Sequence, residues 1–197
     1  MGPKTATRAE QKQQTRAALV AAARNLFNTQ GYTATGAEMI AKTAGVSRAT
    51  FYLHFRSKAE VVREIMREIE PEVVGAYERL DAMVDPTHDD VAAWLEEHAQ
   101  LWRMYRPEFA AMEQALAHEA AVADEWYALH RHTQERMVHI NGRRASDMEQ
   151  MRTRAHFMSL MMSVDRNFYF LILRGHDENY AAVIDVLADQ WLALLKP

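Results

Sequence analysis

Residues 31–58 read GYTATGAEMIAKTAGVSRATFYLHFRSK, two short helical patterns on either side of a glycine. Ala37 to Ala44 carries the apolar beat of a short helix through Met39, Ile40 and Ala44. Gly45 supplies the positive φ that a tight turn needs, and Val46 fills the angle between the two helices. Ser47 is placed to cap the second helix, its hydroxyl accepting from the backbone N–H of Ala49 or Thr50. That helix then aims Arg48, Ala49 and Thr50 outward at its N-terminal end, where a groove reader meets base edges. A short helix, a glycine turn and a capped second helix make the layout of a helix-turn-helix DNA reader.

Upstream, Leu19, Ala22, Ala23, Leu26 and Phe27 follow helical spacing, which predicts a first helix from Thr15 to Gln30 that Gly31 ends. Arg8, Lys12 and Arg16 precede and enter it as a basic lead-in, read either as a solvated tail or as an arm that reaches phosphates or the minor groove. The charge of the 197-residue chain is divided more sharply than its net of −4 suggests. Residues 1–58 hold nine Lys/Arg against two acids, or +7, leaving fourteen basic and twenty-five acidic residues, or −11, for the remainder. A duplex attracts the first part and repels the second, so the split orients the chain on DNA and makes binding depend on salt.

At 49% hydrophobic residues the chain holds enough apolar material for a packed core. No run of about 18 apolar residues appears and the N-terminal MGPKTATRAEQKQQ lacks a signal peptide's apolar stretch, which predicts a cytoplasmic protein with no membrane association. The absence of cysteine excludes disulfides and thiolate chemistry. Among the nine histidines there is no HExxH, and His130 and His132, two apart, face different sides of a helix; neither a metal site nor another cofactor is expected. GxSxG, P-loop and GxGxxG motifs are missing, so the chain does not read as an enzyme.

From Lys58 onward Val62, Ile65, Met66, Ile69, Val73, Tyr77, Leu80 and Val84 keep helical spacing across Pro71, predicting a long fourth helix with a kink or break near Glu70. After the Asp85-Pro86-Thr87 turn no strand pattern appears. Helices are expected at about 87–105, 107–120, 123–142, 146–174 and 178–195, with Gly142 and Gly175 as C-terminal caps and Pro107 in a first turn. The fold class is thus all-α with about nine helices: a helix-turn-helix head over residues 1–57 and a helical body over 58–197.

The body's apolar stripes are interrupted by polar residues. Val91, Leu95, His98, Trp102 and Tyr105 share a face of the fifth helix, and Val122, Trp126, Leu129, His130, Thr133 and Met137 form one stripe on the seventh. On the eighth, Met151, Met158, Met162, Asp165, Tyr169 and Ile172 run beside Phe157, Met161, Val164, Phe168 and Leu171, so that it is apolar most of the way round. Such stripes suit a plain core or a lined cavity. Asp165 is costly to bury alone and calls for a ligand donor or a cation such as Arg103, Arg166 or a group of a second subunit. His98 and His130 suit a phenolic or carbonyl group, or a satisfied core.

The segment quoted first resembles the TetR family of one-component bacterial transcriptional regulators. The matching positions are Gly31-Tyr32, Thr35, Ile40-Ala41, Ala44-Gly45-Val46-Ser47, Phe51-Tyr52, His54-Phe55 and Ser57-Lys58. Gly36 departs from the pattern, standing where the family carries a hydroxyl residue, and leaves Thr35 as the expected cap of the second helix. The resemblance implies a homodimer through the last two helices, with Ala181, Ile184, Val186 to Ala188, Trp191, Leu192 and Leu195 giving the final helix a broad apolar surface. It also implies a double-stranded DNA operator and a small-molecule effector whose binding shifts the spacing of the heads. The DNA set is Thr35, Ser47, Arg48, Ala49, Thr50, Tyr52, His54 and Lys58: Arg48 and Thr50 for bases, Ser47, Tyr52, His54 and Lys58 for phosphates, with Phe51 and Phe55 kept for the head's core. The effector set is His98, Trp102, Tyr105, Trp126, His130, Phe157, Met161, Met162 and Asp165, which favours a mostly apolar or aromatic molecule. A homodimeric repressor on a near-palindromic operator fits these features. An activator, or a helical sensor whose head no longer binds DNA, are the alternatives.

Overall fold

A computed structural model describes residues 7–142 and 146–196. Among them are ten α-helices, a π-helical turn and no strand. In chain order they are α1 (Arg8–Ala34), α2 (Ala37–Thr43), α3 (Arg48–His54), α4 (Lys58–Asp81), α5 (His88–Met104), α6 (Arg106–Leu116), α7 (Ala120–Arg136), α8 (Val138–Gly142), α9 (Asp147–Phe168), the π-turn (Tyr169–Leu173) and α10 (Tyr180–Leu195). No described helix is long and apolar enough to cross a membrane.

Several boundaries differ from expectation for identifiable reasons. Helix α1 starts about two turns before Thr15 because Thr7 and Glu10 form a capping box, with the Thr7 hydroxyl taking the Glu10 N–H and the Glu10 carboxylate taking the Thr7 N–H. The basic lead-in of Arg8, Lys12 and Arg16 is therefore helical; Lys4 lies outside the described residues. Gly31 interrupts α1 at φ +83°, ψ 165°, as expected, and one further turn follows it. Helix α4 runs unbroken past Pro71, and Val84, expected on its apolar stripe, is exposed in the turn beyond it. The expected 123–142 helix is two, with α7 ending at Arg136 and α8 beginning at Val138. The expected 146–174 helix becomes α9 and the π-turn, and Gly175 follows at φ +74°. Gly142 has no positive φ and ends α8 as a helical residue.

The chain packs as two compact units, residues 1–68 with 107–124, and 69–106 with 125–197. The first has α1, α2 and α3 around Leu19, Ala23, Phe27, Ile40, Phe51 and Phe55, all nearly inaccessible. Charged groups lock its edges. The Arg16 guanidinium donates to both oxygens of Glu64 at 3.0 and 2.9 Å and to the His54 carbonyl at 2.7 Å, while lying 4.0 Å from the Phe55 ring centre. Arg24 bridges Glu68 at 2.7 Å and Glu108 at 2.5 Å. The Tyr32 hydroxyl donates to Glu119 at 2.8 Å and its backbone N–H to Gln114 at 3.0 Å, so residues 107–124 close the C-terminal end of α1.

The second unit is organised around aromatic rings. Tyr77 of α4 meets Trp94, His98, Phe157 and Trp191 at centroid distances of 5.3, 5.2, 5.7 and 5.8 Å, each tilted or edge-on, the arrangement that ring quadrupoles favour. The Trp94 indole N–H donates to the Ala76 carbonyl at 2.8 Å, which satisfies its one donor in the core. Buried Asp81 accepts from the backbone N–H groups of His139 and Ile140 at 2.9 and 2.7 Å and so ties the first turn of α8 to the end of α4. Only one of the two apolar faces foreseen for α9 is fully interior: Phe157, Met161, Val164 and Phe168 are buried, while Met158 and Met162 are half-buried and Met151 is exposed.

Candidate functional site

Helix α3 owes its position to three local features. Gly45 adopts φ +71°, turning the chain after α2, and the Val46 N–H returns to the Ala41 carbonyl at 2.9 Å. Ser47 caps the helix through its hydroxyl, which accepts from the Thr50 N–H at 3.0 Å and contacts the Thr50 hydroxyl at 2.8 Å. Phe51 and Phe55, 0% and 1% exposed, anchor its inner face. Ser47, Arg48, Ala49 and Tyr52 are thereby left exposed on the outer face, with Thr50 half-buried among them. The Arg48 guanidinium lies 5.7 Å from the Tyr52 ring centre and 4.0 Å from Glu38, a contact too long and too exposed to hold it. One exposed side chain was not foreseen: Leu53, 79% accessible on the same helix, whose neighbours gave no cue that it faces away from the core.

Two expected DNA residues, Thr35 and Lys58, are used by the fold itself, and a third, His54, is half-buried. Thr35 is 2% exposed; its hydroxyl donates to the Gly31 carbonyl at 2.8 Å and accepts from Gln30 at 3.1 Å. It closes α1 and is not the cap of α2; that position falls to Gly36, which has no side chain with which to cap. The Lys58 ammonium donates to the carbonyls of Tyr32 at 2.7 Å and Thr35 at 3.0 Å, with Thr33 at 3.4 Å, and sits 4.1 Å from the Tyr32 ring centre. Lysine at a helix C-terminus complements the dipole and the unpaired carbonyls there, and here burial holds its pKa below the ordinary value. His54 is half-buried at the last turn of α3, its Nδ1 buried without a hydrogen-bond partner. Burial and the nearby Lys12 and Arg16 depress its pKa, so its ring favours the neutral form.

The effector residues fall into two groups within the second unit. His98, Trp102, Phe157 and Met161 are at most 1% exposed; Trp126, His130, Met162 and Asp165 are half-buried. Tyr105 is the C-cap residue of α5, half-buried, and no described ring contact joins it to the others. Asp165 pairs with His130, whose Nε2 is 2.8 Å from its carboxylate, while Arg103 and Arg166 lie over the Tyr180 and Tyr169 rings. The His130 Nδ1 lies 2.9 Å from the Trp126 carbonyl one turn earlier, and the Trp126 ring is 4.0 Å from the imidazole. Burial works against the His130 charge, but Asp165 and the Trp126 carbonyl outweigh it and leave the pKa raised. His98 is stacked at 22° on Trp94, with burial forcing its pKa down to about 4, so it is a neutral imidazole near pH 7. Tyr77 belongs to this cluster although the sequence reading placed it only on a helical stripe: its buried hydroxyl has no partner, and burial, reinforced by Asp165, drives its pKa well above the ordinary value.

Residues 19–65 match the family of bacterial regulatory proteins known as the tetR family. The HTH-type transcriptional regulator TtgR of Pseudomonas putida is 40% identical over 57 residues, 29% of this chain and 27% of TtgR, so the chain matches about a quarter of that relative's length. Over the whole chain the solved fatty acid degradation regulator FadR of Bacillus halodurans superposes with a TM-score of 0.65 at 14% identity, covering 96% of this chain and 97% of that one. SmeT, described as the repressor of a Stenotrophomonas maltophilia multidrug efflux pump, superposes at 0.60 and 21% identity over 93% of this chain and 91% of its own. SmeT in complex with triclosan matches at 0.54 and 20% identity, covering 89% and 90%. These low identities speak for the fold; the sequence match speaks for the head. The head, residues 19–65, thus matches the tetR family of bacterial regulatory proteins, and the chain as a whole shares the fold of these solved regulators.

Proposed function

We propose that this chain is a ligand-responsive, DNA-binding transcriptional repressor, working in the cytoplasm as a homodimer on a near-palindromic operator. The observation that carries this reading is α3: a helix capped by Ser47, fixed from behind by Phe51 and Phe55, and presenting Arg48, Ala49, Thr50 and Tyr52 outward. An exposed guanidinium at the N-terminal end of a recognition helix suits guanine O6 and N7, and Thr50 suits a neighbouring base edge. Ser47, Tyr52 and His54 take phosphates, His54 through its Nε2. Thr35 and Lys58 are assigned to the corner between α1 and α2, since their polar atoms already have partners there. Leu53 is available to a thymine methyl.

Residues 58–197 serve effector binding and pairing of two chains through α9 and α10, which would set two heads about 34 to 36 Å apart. The effector is a small, mostly apolar or aromatic molecule received by the ring cluster of the second unit; SmeT, whose fold this chain shares, is known with triclosan. Release requires the effector to bind the state that does not hold DNA more tightly than the state that does, because equal affinity for both shifts nothing. A gel shift with duplexes flanking the reading frame tests the reading: a retarded band at nanomolar protein, lost with rising salt, is expected, and equal retardation of scrambled duplex would refute it.

A further inference from the structure

Five buried polar side-chain atoms among the described residues have no hydrogen-bond partner, and four of them belong to the second unit: the Tyr77 hydroxyl, His98 Nδ1, Trp126 Nε1 and Trp191 Nε1. A buried donor left unmade costs about 1–3 kcal/mol, so several in one unit call for an explanation. Three of them gather about one ion pair. The Trp126 ring lies tilted 4.0 Å from the His130 imidazole, His130 binds Asp165 at 2.8 Å, and Tyr77 and His98, 5.2 Å apart, both feel the Asp165 charge. Their chemistry is one-sided. An indole N–H can only donate, and a phenol kept protonated donates as readily as it accepts. His98, neutral, offers one donor and one acceptor.

Charge decides what the cluster will accept. The Asp165 carboxylate already has a partner at 2.8 Å, so an ammonium ligand would have to displace His130. An anion would face the Asp165 carboxylate; the nearby cation Arg79 is exposed and held by Glu97 and the Gly75 carbonyl. Burying an unpaired charge costs several kcal/mol, more than any one donated hydrogen bond returns. Resting on the effector reading above, we propose that the cluster around Tyr77, His98, Trp126, His130 and Asp165 binds an uncharged aromatic molecule with at least one acceptor oxygen, such as an aryl ketone, and rejects acids and amines.

Calorimetric titration of the full chain with a matched series tests this: 2-acetylnaphthalene, naphthalene, 2-naphthoate, 2-naphthylmethylamine and decanoate. Acetylnaphthalene should bind at least tenfold more tightly than each of the others. Trp126→Phe and Tyr77→Phe, which keep the rings, should each weaken acetylnaphthalene by about five- to tenfold and leave naphthalene unchanged. The proposal is overturned if naphthoate, the amine or decanoate binds best, if naphthalene equals the ketone, if none of the five binds, or if both variants retain wild-type affinity. A gel shift with acetylnaphthalene present separates the two layers: the expected ranking without DNA release keeps the ligand class and removes the regulatory reading.

Discussion

Single side chains in this protein are assigned by what their polar atoms already touch. Arg16, Arg48 and Lys58 are all basic residues of the first unit, and on sequence grounds each can meet DNA. Arg16 is spent on Glu64 and the His54 carbonyl and Lys58 on the end of α1, whereas Arg48 meets only exposed neighbours, Tyr52 on its own helix and Glu38 at 4.0 Å. Arg48→Ala should therefore cost about 1–3 kcal/mol of operator binding and relax preference at one base pair. Equal losses on operator and random duplexes, measured by fluorescence anisotropy, would show that Arg48 touches only phosphate. Lys58→Ala should instead act on folding: removing a charged donor from the carbonyls of Tyr32 and Thr35 should lower stability by about 1–2 kcal/mol in a urea titration. The slope of log affinity against log salt should stay unchanged; a fall of about one unit would return Lys58 to the phosphate contacts.

At the scale of elements, capping explains where the helices begin better than apolar periodicity does. Thr7, Thr87 and Ser146 each form a capping box, with Glu10, Asp90 and Glu149, and the helices start there. The weak start is α2, whose N-cap Gly36 has extended backbone at φ −115°, ψ 160°, and open space where a Cβ would go. Gly36→Ser should accept an amide of the first turn of α2 and restrict the unfolded chain, raising stability by about 0.5–1 kcal/mol. A lower melting temperature would show that the cap geometry is not reached. Ends set by distant packing were not legible in the same way. The break between α7 and α8 has no glycine or proline; there, Asp81 takes the N–H groups of His139 and Ile140, a pairing 58 and 59 residues apart in sequence.

For the molecule as a whole, burial of titratable groups in the second unit couples its stability to pH. The folded pKa of His98, about 4, lies below the ordinary histidine value of 6.5, so the neutral form is the one that folds. Its contribution is complete above pH 6.5 and is lost as pH falls from 6.5 towards 4, amounting to roughly 3 kcal/mol at 1.36 kcal/mol per pKa unit. His130 runs the other way, its raised pKa giving a contribution present below pH 6.5 and lost as pH rises through the folded value. Chemical denaturation between pH 7 and 4 should show a steeper acid loss for the wild type than for His98→Phe. Parallel curves would mean that His98 is not held neutral by burial.

The amino-acid sequence determined the helix class, the Gly45 turn, the Ser47 cap and the anchoring roles of Phe51 and Phe55, because each rests on local spacing or on one residue's conformational preference. It also marked the basic head, since charge is additive along a chain. Tertiary structure alone decided that residues 107–124 pack with the head, that Asp165 pairs with His130, that Lys58 serves helix α1, and that Tyr77, His98 and Trp126 keep unpartnered polar atoms in one unit. Those facts depend on which side chains meet across long sequence separations. Periodicity fixes which face of a helix is buried, but leaves open what that face is buried against.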